Sequence, residues 1–476
     1  MAASEPGTPR AAPPAGPLAQ AYDPERFRAD GHALIDQLAD YLRAAQAGAL
    51  PVLPWREPDA ELRDWPSGFE GEPQALPALI AKTLAHSIHI HHPRFVGHQV
   101  AAPLPSSALL KLAGGLLNNG TGIYEMGAAA NAMEHSVLRW MAGQVGLPEG
   151  ADGVLTSGGS VGNLTALLAA REAMAPGAWR DGAQGLSVLA ASETHYCVKR
   201  AVQIMGLGEA GQIPVPVDAR FRLRADALPG ALRAAEAAGR KVFAVVASAG
   251  STSTGAFDPI EPIADFCAAH GLWLHVDGAH GASAALTPKY APQLRGIERA
   301  DSIVWDAHKL MMVPALITAV LFRDGARSYD TFAQQAHYLF PGSARGEWWN
   351  SGLRTLECTK RMMGLELYGA LALHGPRLFG ASVERVFDLA RWFAARLRQS
   401  GFEVPTEPDC NIVCFRLPGS DCERVRRALN ESGAFYLVQT RLPSGVFLRV
   451  SLMNPLTTEA DLEALIRSIL DRAAAR

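Results

Sequence analysis

Between residues 186 and 322 the chain alternates short, nearly unbroken apolar runs with stretches in which apolar residues recur every three or four positions. The runs at 186–191, 213–217, 242–247, 272–276 and 302–305, and a further one at 314–322, have the length of strands, and helical segments separate most of them. Strands apolar on both faces and joined by helices predict an α/β fold with a large, mainly parallel sheet covered by helices. Upstream, Phe27, Leu34, Ile35, Leu38 and Leu42 fall at helical spacing behind the helix start Asp23-Pro24-Glu25. The stretch 48–75 is Pro- and Trp-rich and reads as irregular, and 106–147 predicts two helices separated by 118–127. A long connection, 324–355, holds His337, Tyr338, Trp348 and Trp349, and a helical stretch follows over about 355–373. From residue 380 the pattern predicts a smaller α/β unit, with a helix at 382–399, strands near 411–417, 435–440 and 446–452, and a closing helix from Thr458. The expected organisation is a disordered tail (1–21), an N-terminal helical arm (22–90), a large domain (91–379) and a small C-terminal α/β domain (380–476).

Polar residues punctuate this pattern at the ends of the apolar runs. Glu193-Thr194-His195 follow the first, 248–254 the third, Asp277 the fourth, and Asp306-Ala307-His308-Lys309 the last. In a parallel sheet those ends share one edge, the edge where open α/β sheets bind ligands. Ahead of them, Gly158-Gly159-Ser160-Val161-Gly162-Asn163 opens a helical run, so bare backbone N–H groups and the Ser160 hydroxyl suit a phosphate. Neither the dinucleotide fingerprint nor a P-loop is present. A lysine at a strand end is suited to an imine with an aldehyde, and an acid at a neighbouring strand end to a pyridinium nitrogen. Together they are the two polar needs of pyridoxal 5'-phosphate.

Composition narrows the alternatives. At 476 residues the chain is too long for one small core, and 48% hydrophobic with 19% charged residues describes an ordinary globular protein. A net charge of −3 leaves no basic footprint for nucleic acid or an anionic membrane. The six cysteines lack CxxC spacing and read as reduced thiols of a cytoplasmic protein. His86, His89, His91, His92 and His98 cluster, but no Cys or acid completes a tetrahedral set, so they are read as polar lining of a cleft or subunit contact and no metal is expected. The first twenty residues, rich in Ala, Pro and Gly, lack an apolar signal core.

From about residue 22 to 470 the chain resembles the group II pyridoxal-phosphate-dependent amino acid decarboxylases. The resemblance rests on His92-Pro93-Arg94-Phe95, Thr-Ser-Gly-Gly-Ser-x-Gly-Asn at 156–163, Thr194-His195-Tyr196 with Lys199-Arg200-Ala201, Gly250-Ser251-Thr252 leading to Gly255-Ala256-Phe257-Asp258-Pro259, His275-Val276-Asp277, and His308-Lys309. It implies the type I fold of such enzymes, with active sites at the interface of a homodimer, and release of CO₂ and an amine from an L-amino acid through a lysine imine and a quinonoid intermediate. It further implies that Lys309 forms the imine, Asp277 pairs with the ring nitrogen, His195 stacks on one ring face and Ala279 contacts the other. Gly159, Ser160 and His308 are implied to hold the phosphate, with Thr252 near the ring substituents. The chain departs from the family pattern at Gly278, where Ala is common, at Asp306, where Asn is common, and over 341–350, which lacks the loop tyrosine that family members use as proton donor. That last departure keeps a decarboxylation-coupled aldehyde synthase open as an alternative. A catalytically inactive binding partner is disfavoured by the retention of Lys309, Asp277, His195 and Ser160.

Overall fold

The computed structural model of the chain describes residues 16–65, 67–332 and 346–474. Seven strands form the main sheet: β1 (Asp152–Thr156), β2 (Leu186–Ala191), β3 (Gln212–Val215), β4 (Lys241–Ser248), β5 (Trp273–Asp277), β6 (Ser302–Asp306) and β7 (Thr318–Phe322). Their order is β1-β7-β6-β5-β4-β2-β3. The pairs β3–β2–β4–β5–β6 are parallel, and β7 runs antiparallel to both β6 and β1. The type I arrangement is therefore present, with one reversed strand inserted where a short return from β6 replaces a crossover helix. A second, antiparallel sheet, ordered β8-β10-β9, comprises β8 (Ile412–Phe415), β9 (Val438–Leu442) and β10 (Gly445–Ser451).

Side chains alternate between the two faces of each strand, and the apolar ones divide into two clusters accordingly. Val154, Val188, Phe243, Val246, Trp273, Val304 and Val320 pack with Leu164, Leu167 and Leu168 of the helix Gly159–Met174. Leu155, Leu189, Val245, Leu274, Val276, Ile303 and Leu321 belong to the larger cluster, which also contains Phe379, Phe387 and Phe393 of the helix Pro376–Gln399. By the same parity Thr156, His275, Asp277, Ser302, Asp306 and Thr318 share the face covered by the helix Gly159–Met174. Gly162 lets that helix lie close, since a Cβ there would stand 3.0 Å from Thr318 Cγ2 and 3.3 Å from Thr156 Oγ1.

The elements differ from expectation in particular places. β1 lies in a segment without a long apolar run, and it is held by full pairing with β7, Asp152↔Phe322 to Thr156↔Thr318. The helix expected from about 355 begins at Met363. Before it, Lys360 is buried against Glu134 (2.6 Å) and the Leu155 carbonyl (2.8 Å), so tertiary pairing holds that backbone outside a helix. Helices Pro24–Gln46, Pro105–Leu117 and Ala128–Gln144 match the pattern, and an unforeseen helix spans Leu76–His86. Residues 1–15 of the expected tail lie outside the described residues, and Pro17–Ala21 form a single helical turn. Among the described residues no helix is long and apolar enough to cross a membrane, and no His, Cys, Asp and Glu group has the arrangement of a metal site.

Candidate active site

The carboxyl ends of β2, β4, β5 and β6, with the turn after β1, surround one cavity of about 180 Å³. Its lining comprises Gly159, Ser160, Asn163, His195, Cys197, Ser248, Gly250, Ser251, Thr252, Asp277, Ala279, His280, Asp306 and Lys309. Pairing sets the register of the acids. Ser248 lies beside Asp277, Asp277 beside Val304, and Asp306 beside Thr318. Strand-end residues that are far apart in the chain thereby meet.

The helix Gly159–Met174 enters behind Gly158, whose φ of 112° is open to glycine at little cost, and no side chain caps its first turn. Its N–H groups are thus presented to the cavity with the positive end of the helix dipole. A Cβ on Gly159 would stand 3.1 Å from Asp306 Oδ2 and 3.2 Å from Oδ1, so only glycine leaves that cradle open. Asp306, an acid beside a candidate phosphate site, is fully engaged. Its Oδ1 accepts from Thr318 Oγ1 at 2.5 Å and its Oδ2 lies 3.0 Å from Lys309 Nζ. Asp277 Oδ1 accepts from the Ala279 amide at 3.2 Å.

His195 caps the helix Tyr196–Ile204, its Nδ1 accepting from the Cys197 amide at 3.3 Å. Burial pushes its imidazole below the usual histidine range while the Asp277 carboxylate pulls the other way, which favours a neutral aromatic face. Burial also pushes the Cys197 thiol well up, so it lines the cavity protonated. His280 donates from Nε2 to Asn411 Oδ1 at 2.6 Å, and burial depresses its pKa to about 3. Buried Arg449 donates to the Thr252 carbonyl and fixes that turn.

Of the residues expected from sequence, Gly159, Ser160, His195, Thr252, Asp277, Ala279 and Lys309 line the cavity. His308 is absent from the lining; its Nδ1 is 2.9 Å from the Ile317 carbonyl and its Nε2 3.8 Å from Asp306 Oδ2. His337 and Tyr338 lie outside the described residues. Trp348 stacks on His135 at 4.6 Å. Asn163, Ser248, Gly250 and Ser251 stand inside the motifs quoted from the sequence, but none of them, nor Cys197 or His280, was assigned a role there. All sit within a few positions of residues that were, so local proximity to a strand end was the available signal. Arg449 had none.

The donor set fits pyridoxal 5'-phosphate. A primary amine, a carboxylate on the neighbouring strand and an uncapped helix start open onto the same cavity, and the glycine cradle is kept free of a Cβ.

The family model described as "Pyridoxal-dependent decarboxylase conserved domain" matches residues 66–418. Cysteine sulfinic acid decarboxylase of Homo sapiens is 31% identical over 449 residues, covering 88% of this chain and 90% of the relative. Aromatic-L-amino-acid decarboxylase of Bacillus atrophaeus is 28% identical over 416 residues, covering 84% and 85%. The crystal structure of mouse CSAD superposes with a TM-score of 0.88 at 25% identity, covering 95% of this chain and 99% of that one. That of Oryza sativa TDC with PLP and tryptamine has the same TM-score and coverage at 24% identity, a likeness of fold.

Proposed function

The chain belongs to the pyridoxal-dependent decarboxylase family, and from that premise we propose the following division of labour for its amino acid decarboxylation. The protein is a carboxy-lyase whose cofactor is pyridoxal 5'-phosphate. When bound, the cofactor supplies a sink for the electron pair left on the substrate as CO₂ departs. Lys309 Nζ would hold its aldehyde carbon. Asp277 keeps a proton on the ring nitrogen. His195 would cover one face of the ring and Ala279 the other. The N–H groups at Gly159 and Ser160 and the Ser160 hydroxyl hold the phosphate, with His308 flanking Asp306 at its side and Thr252 near the ring substituents.

The observation that carries this reading is the convergence of Lys309, Asp277, His195 and the uncapped helix start on a single cavity, although they come from four separate strand ends. Borohydride treatment of the loaded protein followed by peptide mapping is expected to mark Lys309, and a label on another lysine would overturn the assignment. Lys309→Ala is expected to lose turnover by more than the roughly 10²–10⁴-fold typical of one acid–base group, because the amine that would carry the cofactor is gone. CO₂, amine, aldehyde and oxygen uptake are to be followed together. Amine with CO₂ is the expected product, whereas aldehyde with oxygen uptake would support the aldehyde-synthase reading left open by the tyrosine-free stretch 341–350.

We also propose a cytoplasmic homodimer. Six free thiols support a reducing compartment. Leu109, Leu112 and Leu116, at 53%, 44% and 69% exposure on one face of the helix Pro105–Leu117, support a subunit interface.

A further inference from the structure

Beneath the cavity, on the face of the sheet covered by the helix Gly159–Met174, four hydrogen bonds join five groups in a line. Trp273 Nε1 donates to Ser302 Oγ at 2.9 Å. Ser302 Oγ lies 2.9 Å from His275 Nδ1, and His275 Nε2 lies 2.8 Å from Asn163 Oδ1. Asn163 Nδ2 donates to the Gly159 carbonyl at 2.8 Å. All four side chains belong to buried residues, with Ser302 and His275 at 0% exposure and Asn163 at 1%.

The two ends of the line dictate its direction. A tryptophan indole can only donate and a backbone carbonyl can only accept. The Asn163 amide nitrogen must therefore face Gly159, which turns its oxygen to His275, so the histidine proton sits on Nε2. Nδ1 is then an acceptor for the Ser302 hydroxyl, whose oxygen is free to accept from Trp273. All four hydrogen bonds of the line are made with this one tautomer of a neutral imidazole, and the other neutral tautomer would set the bare Nε2 against the Asn163 oxygen. Burial, which holds the His275 pKa at about 4, keeps the ring in that neutral state.

We infer that His275 is a positioning residue which, through Asn163, fixes the first helical turn so that the N–H groups at Gly159 and Ser160 point at the cofactor phosphate. The inference rests on the cofactor assignment above and concerns a residue that does not line the cavity. Its physical basis is the tightness of the cradle. The Gly159 backbone is confined on one side by the Asp306 carboxylate, 3.1 Å from where a Cβ would be, and its carbonyl is held on the other by Asn163. Without the His275 proton, Asn163 is free to rotate, and the turn that presents the phosphate donors loses its anchor to β5 and β6. Because His275 stands two residues before Asp277 on the same face of β5, the line also ties the phosphate cradle to the strand that carries the ring-nitrogen acid.

The test compares the apoenzyme's affinity for pyridoxal 5'-phosphate with its affinity for pyridoxal, which lacks the phosphate, by spectroscopic titration. The dissociation constant for pyridoxal divided by that for pyridoxal 5'-phosphate isolates the phosphate cradle from the rest of the site. His275→Gln can still donate to Asn163 from near the Nε2 position, whereas His275→Asn reaches only Ser302. In His275→Asn the ratio is expected to fall roughly 10–100-fold, the loss of one or two charge-assisted hydrogen bonds, with pyridoxal affinity little changed. His275→Gln is expected to stay within about threefold of wild type by the same measure of hydrogen-bond worth. Asn163→Ala, which removes the last link while keeping a good helix former in the first turn, is expected to behave as His275→Asn and decides the matter should the histidine variants not fold. An unchanged ratio in Asn163→Ala and His275→Asn, or an equal loss for both ligands, would overturn the inference. A wild-type protein that takes up no pyridoxal 5'-phosphate would instead sink the cofactor assignment.

Discussion

Asp277 ends β5 and His280 follows three positions later, yet they differ in what surrounds them. Asp277 presents its carboxylate to the cavity with one amide donor at 3.2 Å, while His280, which also lines the cavity, is almost fully buried and bonded to Asn411. Asp277→Asn is expected to keep the fold and lower turnover at least about 10²-fold, because a neutral amide cannot hold a proton on a ring nitrogen. Wild-type turnover in that variant would assign the carboxylate another task. The buried histidines set a pH dependence. Burial holds the folded pKa of His275 at about 4 and that of His280 at about 3, below the usual histidine value of 6.5, so the folded state binds fewer protons than the unfolded one. Their contribution is fully present above pH 6.5 and is lost as the pH falls from there towards 4 and 3, at up to roughly 1.4 kcal/mol per pH unit for each. Asp258, raised by burial to about 6, acts in the opposite sense between about 4 and 6 and cancels roughly one histidine there. Net stability is therefore expected to decline on acidification below pH 6.5. Melting curves across that range check it, and His280→Gln should show a shallower decline.

At the scale of elements, contact between the helix Gly159–Met174 and the β1–β7 pair decides where the phosphate donors lie. Gly162→Val would drive two extra methyl groups beyond a Cβ already 3.0 Å from Thr318 Cγ2. The expected cost is about 1–3 kcal/mol of stability, as for an overpacked core, together with weaker cofactor binding as the helix start is pushed away. Chemical denaturation and cofactor titration read the two effects separately. On the other face, the pair Lys360–Glu134, with side chains 1% and 5% exposed, ties the helix Ala128–Gln144 to β1 and to the segment before Met363. Lys360→Met leaves the Glu134 charge buried beside only the Leu155 amide, so a loss of about 3–5 kcal/mol is expected. A shift of the denaturation midpoint worth under about 1 kcal/mol would show that water reaches Glu134.

For the whole molecule, the apolar residues that match a helical period but find no cover are the informative ones. Phe27, Ile35 and Leu38 of the helix Pro24–Gln46 are 53%, 40% and 37% exposed, although their spacing reads as a core-facing stripe. A stripe left bare within one chain suits burial against a second copy. Leu109→Glu with Leu116→Glu is expected to give a monomer by sedimentation with turnover reduced or abolished, while a fully active monomer would refute the proposed homodimer.

The sequence alone determined most of the order of elements and most of the candidate positions that meet at the cavity. Unbroken apolar runs between helical segments admit few arrangements other than a covered parallel sheet, and the residues that end such runs must gather at one edge. Lys309, Asp277, His195 and the Gly158–Gly159–Ser160 turn were legible for that reason. Where periodicity carried no signal, tertiary contact decided. β1 is a strand because β7 offers it a complete ladder, and residues before Met363 are not helical because Lys360 is drawn to Glu134. Likewise, the direction of the line from Trp273 to Gly159 depends on which buried donor meets which acceptor across chain separations of up to 112 residues. Local pattern encodes which face a residue takes, but a partner so distant in the chain is specified only once the sheet and helix have packed.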